Sequence, residues 1–276
     1  MAFNKNELIL DKVRQLVAQD LETGEIVFRL TSLEEPSIGC TAEGEEITDA
    51  IGAVITTLYR AKRATFSATN SLISLDLAAA QYGTKKEVAG ATNEKGEVIY
   101  PTITDYGFEI LPIEKDATTV KLAKLGEGKT LNVDSIKYIY AIENNEVGTS
   151  YKVGGTATET EAVVADDGTI TLPTTVTSGK IYVEYTFENE NIVKVTNKAS
   201  NFPEAVKAII HAYFRDVCNE NKVYSGKIIC PKAKLNPESI ELALTSTGKH
   251  PFEMTMMRDY CAEEGMDELF SIIVSE

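Results

Sequence analysis

The sequence predicts a mainly β protein, in which one helix flanks the strands and a small β-sandwich module is inserted into a larger β domain. Three observations predict this. Apolar and polar residues alternate with a period of two along most of the 276 residues, the spacing that buries one face of a strand. Turn residues interrupt the alternation at short intervals. One segment instead carries helical spacing with a cap residue at its start and a glycine at its end.

Taken in order, "RQLVAQDLETGEIVFRL" sets two alternating segments around Thr23-Gly24, the form of a hairpin. The chain before it, from Asn4, reads equally as a short helix or an arm. The run 54–68 alternates for far longer than the usual five or six residues of a strand. Its faces are mixed: Val54, Leu58, Phe66 and Ala68 share one parity with Arg60 and Lys62, while Ile55 and Tyr59 share the other with Arg63. Such a strand, with a partner around 45–51, projects from its own domain and pairs with a neighbouring chain. In "NSLISLDLAAAQYG", Asn70 or Ser71 caps a helix that Gly83 stops, with Leu72, Leu75, Ala79 and Tyr82 on the buried side.

From 115 to 187 the texture shifts to Thr, Val, Gly, Asp and Asn. "TTVKLA", "SIKYIYAI", "TSYKVG", "EAVVA", "TITL" and "KIYVEYTF" read as short strands separated by turns, a small sandwich. This divides the chain into a β domain of 1–114 with 188–276 and an inserted module of 115–187. In the last part, "AVKAIIHAYFRDVC" reads as a strand in preference to a helix started by Pro203, and "KIICPKAKL", "SIELALTS" and "LFSIIV" complete the sheets.

Acidic residues outnumber basic ones 42 to 27, for a net charge of −15. That excludes a protein that clamps nucleic acid through many phosphate contacts, but leaves room for one that surrounds DNA without gripping it. Cys40, Cys218, Cys230 and Cys261 form no CxxC pair and read as buried free thiols of a reducing compartment. His211, in a strand, and His250, in a loop before Pro251, are too far apart for a zinc site, so no metal is expected. The N-terminus lacks the apolar core of a secretion signal, and no run approaches the ~20 apolar residues of a membrane span. The expectation is a soluble protein made in the cytoplasm, with no membrane partner.

"AKLGEGKT" at 123–130 fits the loose spacing of a phosphate loop through Gly128, Lys129 and Thr130. A working loop needs a helix after it to supply anion affinity, whereas "LNVDSIKYIYAI" alternates as a strand, so "GEGKT" is a turn and no nucleotide cofactor is expected. Acidic runs at 43–49, 166–167, 188–191 and 263–268 read as solvated faces. No GxSxG turn or partnered histidine assembles a catalytic group, so the chain is not expected to be an enzyme.

Three stretches taken together, "AVITTLYRAKRATFSATNSLISLDLAAAQYG", "AYFRDVCNENKVYSGKIICPKAKL" and "GKHPFEMTMMRDYCAEEGMDELFSIIV", resemble the tube-forming major tail proteins of tailed bacteriophages. The resemblance covers roughly 10–112 and 190–276, and the middle module is similar to the immunoglobulin-like insertions of such proteins. It implies a tail-tube-type β-sandwich or partly closed barrel, assembled as hexameric rings that stack into a tube within the virion tail. DNA passes through the lumen without tight binding, and the partners are sister subunits and other tail proteins: sheath, tape measure, baseplate and terminator. On this reading 54–68 with 45–51 is the ring-stacking hairpin, and Glu45, Glu46, Asp49, Arg60, Lys62 and Arg63 lie at the lumen or the ring seam. The alternative is a capsid decoration or carbohydrate-binding β-protein that uses Tyr138, Tyr140, Tyr151, Tyr182 and Tyr185 as a sugar platform.

Overall fold

The computed structural model describes residues 7–93, 95–126, 128–217, 219–238, 240–241, 248–260 and 267–275. The chain runs β1 (Leu8–Asp20), β2 (Ile26–Leu30), β3 (Leu33–Thr48), β4 (Val54–Asn70), α1 (Leu75–Gln81), β5 (Glu87–Val88), β6 (Ile103–Ile113), β7 (Thr119–Lys121) and β8 (Lys129–Asn132). It continues through β9 (Tyr138–Glu143), β10 (Glu146–Val153), β11 (Glu161–Val164), β12 (Thr169–Thr171), β13 (Gly179–Asn189), β14 (Val193–Lys194), β15 (Ala205–Asp216), β16 (Asn219–Leu235), β17 (His250–Met256) and β18 (Ser271–Ser275). The protein is mainly β, with one α-helix among the described residues and a nearly closed, barrel-shaped sheet. The predicted strand 239–246 falls largely outside the described residues, as do Cys218, Cys261 and residues 263–266 of the acidic run 263–268.

The chain divides into two units, Met1–Lys86 with Val195–Glu276, and Glu87–Lys194. In the first, strands run β2-β1-β15-β16-β17-β4-β3, with β18 also on β16. One face of this sheet supplies Leu16, Phe28, Phe66, Ile210, Leu235 and Met254 to a core that Leu77 of α1 also enters. The alternation Val206, Ala208, Ile210 and Ala212 is buried along β15, so the strand reading of that segment holds, and 8–20 is strand and not helix. The helix is shorter than the sequence suggests. Asn70 ends β4, paired with Leu33 and His250, and Ser71 is bonded to the Ser32 carbonyl and the Glu34 carboxylate, so the cap moves to Ser74, whose side chain accepts from the Leu77 N–H. Gly83 ends the helix at φ +62°, and a Cβ there would meet the Phe202 carbonyl oxygen at 2.1 Å, so only glycine fits. His250 is not in a loop: it opens β17 and is fully buried. Cys230 is buried, with its thiol pushed up to about 11, whereas Cys40 is exposed, against expectation.

The second unit holds a sheet ordered β6-β13-β9-β10-β11-β12-β7, with β8 also on β13. Ile139, Ile181 and Val183 from one part of the path meet Ala162, Val164 and Ile170 from the other in a single core, so the sheet curls around it. The unit is wider than the 115–187 of the sequence reading because every residue of β6 pairs with β13, from Ile103↔Asn189 to Ile113↔Gly179. The β10–β11 pair is parallel. "GEGKT" is a turn: Gly128 sits at φ +77° and Lys129 enters β8, its ammonium donating to the Lys124 carbonyl at 3.1 Å and lying over the Phe187 ring.

Candidate functional site

At its root β4 lies between two strands. Residues 64–70 pair with β17 on one side and β3 on the other, and Ala64, Phe66, Ala68 and Asn70 are buried. Beyond Ala64 the β17 ladder stops, and β3 and β4 continue alone as a two-stranded ribbon. Every residue from 41 to 63 is exposed apart from the half-buried Thr57. A bulge marks the departure: Thr41 faces Arg63 and Glu43 faces Arg60, leaving an extra residue on β4 where Ala61 takes φ +52°. Such a bulge bends and twists the ribbon and changes the face its side chains occupy.

The tip is set by Asp49, whose carboxylate accepts from the Ile51 and Ala53 N–H groups at 3.0 and 2.8 Å, with Gly52 at φ +86°. β-branched residues Ile47, Thr48, Val54, Ile55, Thr56 and Thr57 favour extended backbone on either side. Yet Ile51, Val54, Ile55, Leu58 and Tyr59 stay exposed, Ile51 and Tyr59 at 89 % and 75 %. A lone ribbon is marginally stable in water, and a cluster of exposed apolar side chains beside a free strand edge is a pairing surface. β2 ends the sheet at its other side, giving a second free edge.

All six residues singled out in the sequence lie on this ribbon, but their environments differ. Arg60 forms an ion pair with Glu45 diagonally across the strands. Both are exposed, so the pair contributes little to stability. Asp49 is consumed by the turn. Glu46, Lys62 and Arg63 have no side-chain partner among the described residues. Acids Glu43, Glu45, Glu46 and Asp49 occupy β3 and the turn, while bases Arg60, Lys62 and Arg63 occupy β4, so the ribbon as a whole carries −4 + 3 = −1.

Of the five tyrosines considered as a platform, three come together. Tyr138, Tyr140 and Tyr182 line one face of the second unit's sheet, with ring centroids 6.5 and 6.3 Å apart. Phe108, which sequence reading missed, extends the row 6.2 Å from Tyr182. Parity along the strands carried the signal: Tyr185 stands three residues from Tyr182 and so turns inward. It is buried, its hydroxyl donates to Glu109 at 2.6 Å, and burial together with that carboxylate pushes its pKa far up. Tyr151 packs against the same core. Glu109, itself buried, also accepts from the Ala123 and Lys124 N–H groups, fastening the start of the loop that leads to "GEGKT".

Among the described residues, no helix is long and apolar enough to cross a membrane. A protein family described as the YomU/Tube protein family matches the chain across residues 8–265. No curated protein matches it.

Proposed function

The chain belongs to the YomU/Tube protein family, and from that membership we propose that it is a structural subunit of a bacteriophage tail tube. Copies associate into rings, hexameric by the resemblance of the flanking segments, and the rings stack around a lumen that conducts DNA. The observation that carries this reading is the ribbon at 41–63, whose apolar side chains and strand edge are left uncovered among the described residues. Pairing the free edges of β2 and β3 with sister subunits removes the aggregation hazard such edges present. The net charge of −15 supports a conduit, because an acidic wall repels phosphate and offers a passing duplex no deep binding well. In this reading the subunit carries out no chemistry and needs no cofactor. Its further partners are other tail proteins, and the second unit is an immunoglobulin-like insertion.

Negative-stain microscopy of the purified full-length chain tests the proposal. Rings or hollow rods are expected, and compact monomers at all concentrations would overturn it. A second reading, a carbohydrate-binding or capsid decoration protein, has the aromatic row of Phe108, Tyr182, Tyr140 and Tyr138 in its favour. Monomers that bind oligosaccharide, and lose binding on Tyr182→Ala, would favour it.

A further inference from the structure

The face of the first unit's sheet that turns away from its core has an unusual charge. Its outward positions follow from the register: Arg29 lies beside Val17, Val17 beside Ile209, and Ile209 beside Ile229. In the next row, Gln15 lies beside His211 and His211 beside Lys227. Lys207 falls on the same parity of β15, opposite Gln19. Arg14 emerges from a β1 bulge and donates to the Tyr213 hydroxyl at 2.9 Å. Arg29 donates to the Gln15 amide oxygen at 2.8 Å.

Arg14, Arg29, Lys207 and Lys227 are therefore exposed cations on one sheet face, none with a carboxylate partner among the described residues. They sit on a chain whose net charge is −15. Their like charge is felt locally: after burial, Lys227 and Arg14 are what hold the His211 imidazole below its ordinary pKa. Ile209 and Ile229 lie half-buried between them.

One strand of the ribbon has the complementary character, while the cations Arg60, Lys62 and Arg63 lie on the other, β4. Its free-edge strand β3 carries Glu43, Glu45 and Glu46 within four positions, and Glu46 shares its side of the ribbon with the exposed Ile55 and Tyr59. Two such ribbons paired edge to edge with Glu43–Glu46 of each strand opposite one another would set carboxylates against carboxylates. From this charge complementarity we infer that the basic sheet face of one copy is the docking surface for the acidic β3 edge of the ribbon of a second copy. The contact is heterologous: each copy leaves one ribbon and one face free, so addition continues in one direction as a stack. This inference rests on the tube reading and names the surface that receives the ribbon.

The test uses two full-length variants. Glu43→Lys with Glu46→Lys makes the β3 edge of the ribbon basic against a basic face, and Lys207→Glu with Lys227→Glu cancels the positive charge that the face offers to that edge. All four side chains are exposed, and circular dichroism checks that both variants fold. Each alone should self-associate about tenfold or more weakly than the unsubstituted chain in sedimentation at low salt, with the difference shrinking as salt rises. An equimolar mixture should pair again, because the unsubstituted ribbon of the second variant meets the unsubstituted face of the first. The inference is overturned if either variant alone associates as the unsubstituted chain does, or if the mixture of folded variants stays apart. It is also overturned if the basic face retards a DNA duplex through Lys207 and Lys227 while self-association is unaffected. The tube reading fails separately. Pairing of the two variants without rods from the unsubstituted chain keeps the contact and removes the tube, whereas rods indifferent to both variants keep the tube and remove the contact.

Discussion

His250 is fully buried and holds both ends of the helix to the sheet. Its Nδ1 accepts from the Ser74 N–H at 3.4 Å, which leaves the proton on Nε2 to donate to the Gln81 side-chain oxygen at 2.6 Å. A second proton, on Nδ1, would face an N–H donor with no acceptor in reach. Burial accordingly holds the imidazole below its ordinary value of 6.5. The unfolded chain takes up its proton first as pH falls, so this contribution to stability is complete above about pH 6.5 and declines as pH drops toward the folded-state pKa. Thermal melts of the native chain should therefore lose midpoint between pH 7.5 and 5.5, above the range where carboxylates such as Asp20 and Glu34 titrate. His250→Gln should cost about 1–3 kcal/mol at pH 7.5 and flatten that slope, while His211→Gln, whose less buried imidazole is held low as well, should remove a smaller share of it. An unchanged slope in His250→Gln would remove the assignment. Nothing in "GKHPFEM" announced this role, because the partners are 169 and 176 residues away, whereas the strand parity of His211 was plain from its neighbours.

At the scale of elements, the ribbon was the feature most legible in the sequence. The alternation in 54–68 is local and over-long, and β4 does run Val54–Asn70. Hidden were its bulge at Ala61 and the division of charge between its strands, since register depends on which residues of β3 oppose which of β4. The helix start was misplaced for a related reason: Asn70 makes a good cap in isolation, but the ladder to β17 and β3 claims it first. Because 41–63 buries almost nothing, replacing it by a two-residue Asn-Gly turn between Cys40 and Ala64 should leave the first unit's core intact. The shortened protein is expected to melt within a few degrees of the full chain yet remain monomeric by light scattering at concentrations where the full chain assembles. A large drop in melting temperature would mean that the ribbon is part of the fold and not an assembly element.

For the whole molecule, the question is where one unit can be cut from the other. Texture alone placed the insertion at 115–187, because composition changes there and the extended run 103–113 looks like any other strand. Pairing cannot be read from composition, and β6 runs in register with β13 along its whole length. The chain enters and leaves the second unit side by side: Glu87 pairs with Lys194 and Val88 with Val193. Partners in an antiparallel ladder stand about 5 Å apart, so a short glycine linker can join Lys86 to Val195 without strain. Excising 87–194 in this way should give a chain that elutes as a defined species with a cooperative melt, and that still forms rods if the rods belong to the first unit. Excising 116–186 removes β13 up to Thr186 and leaves β6 unpaired from Tyr106 onward, with Tyr106, Phe108 and Ile110 exposed and Leu111 and Ile113 stripped of their core. That version should aggregate, since an unpaired apolar strand is a template for pairing with other chains. If the two excisions behave alike in size-exclusion chromatography, the β6–β13 ladder does not set the boundary of the unit.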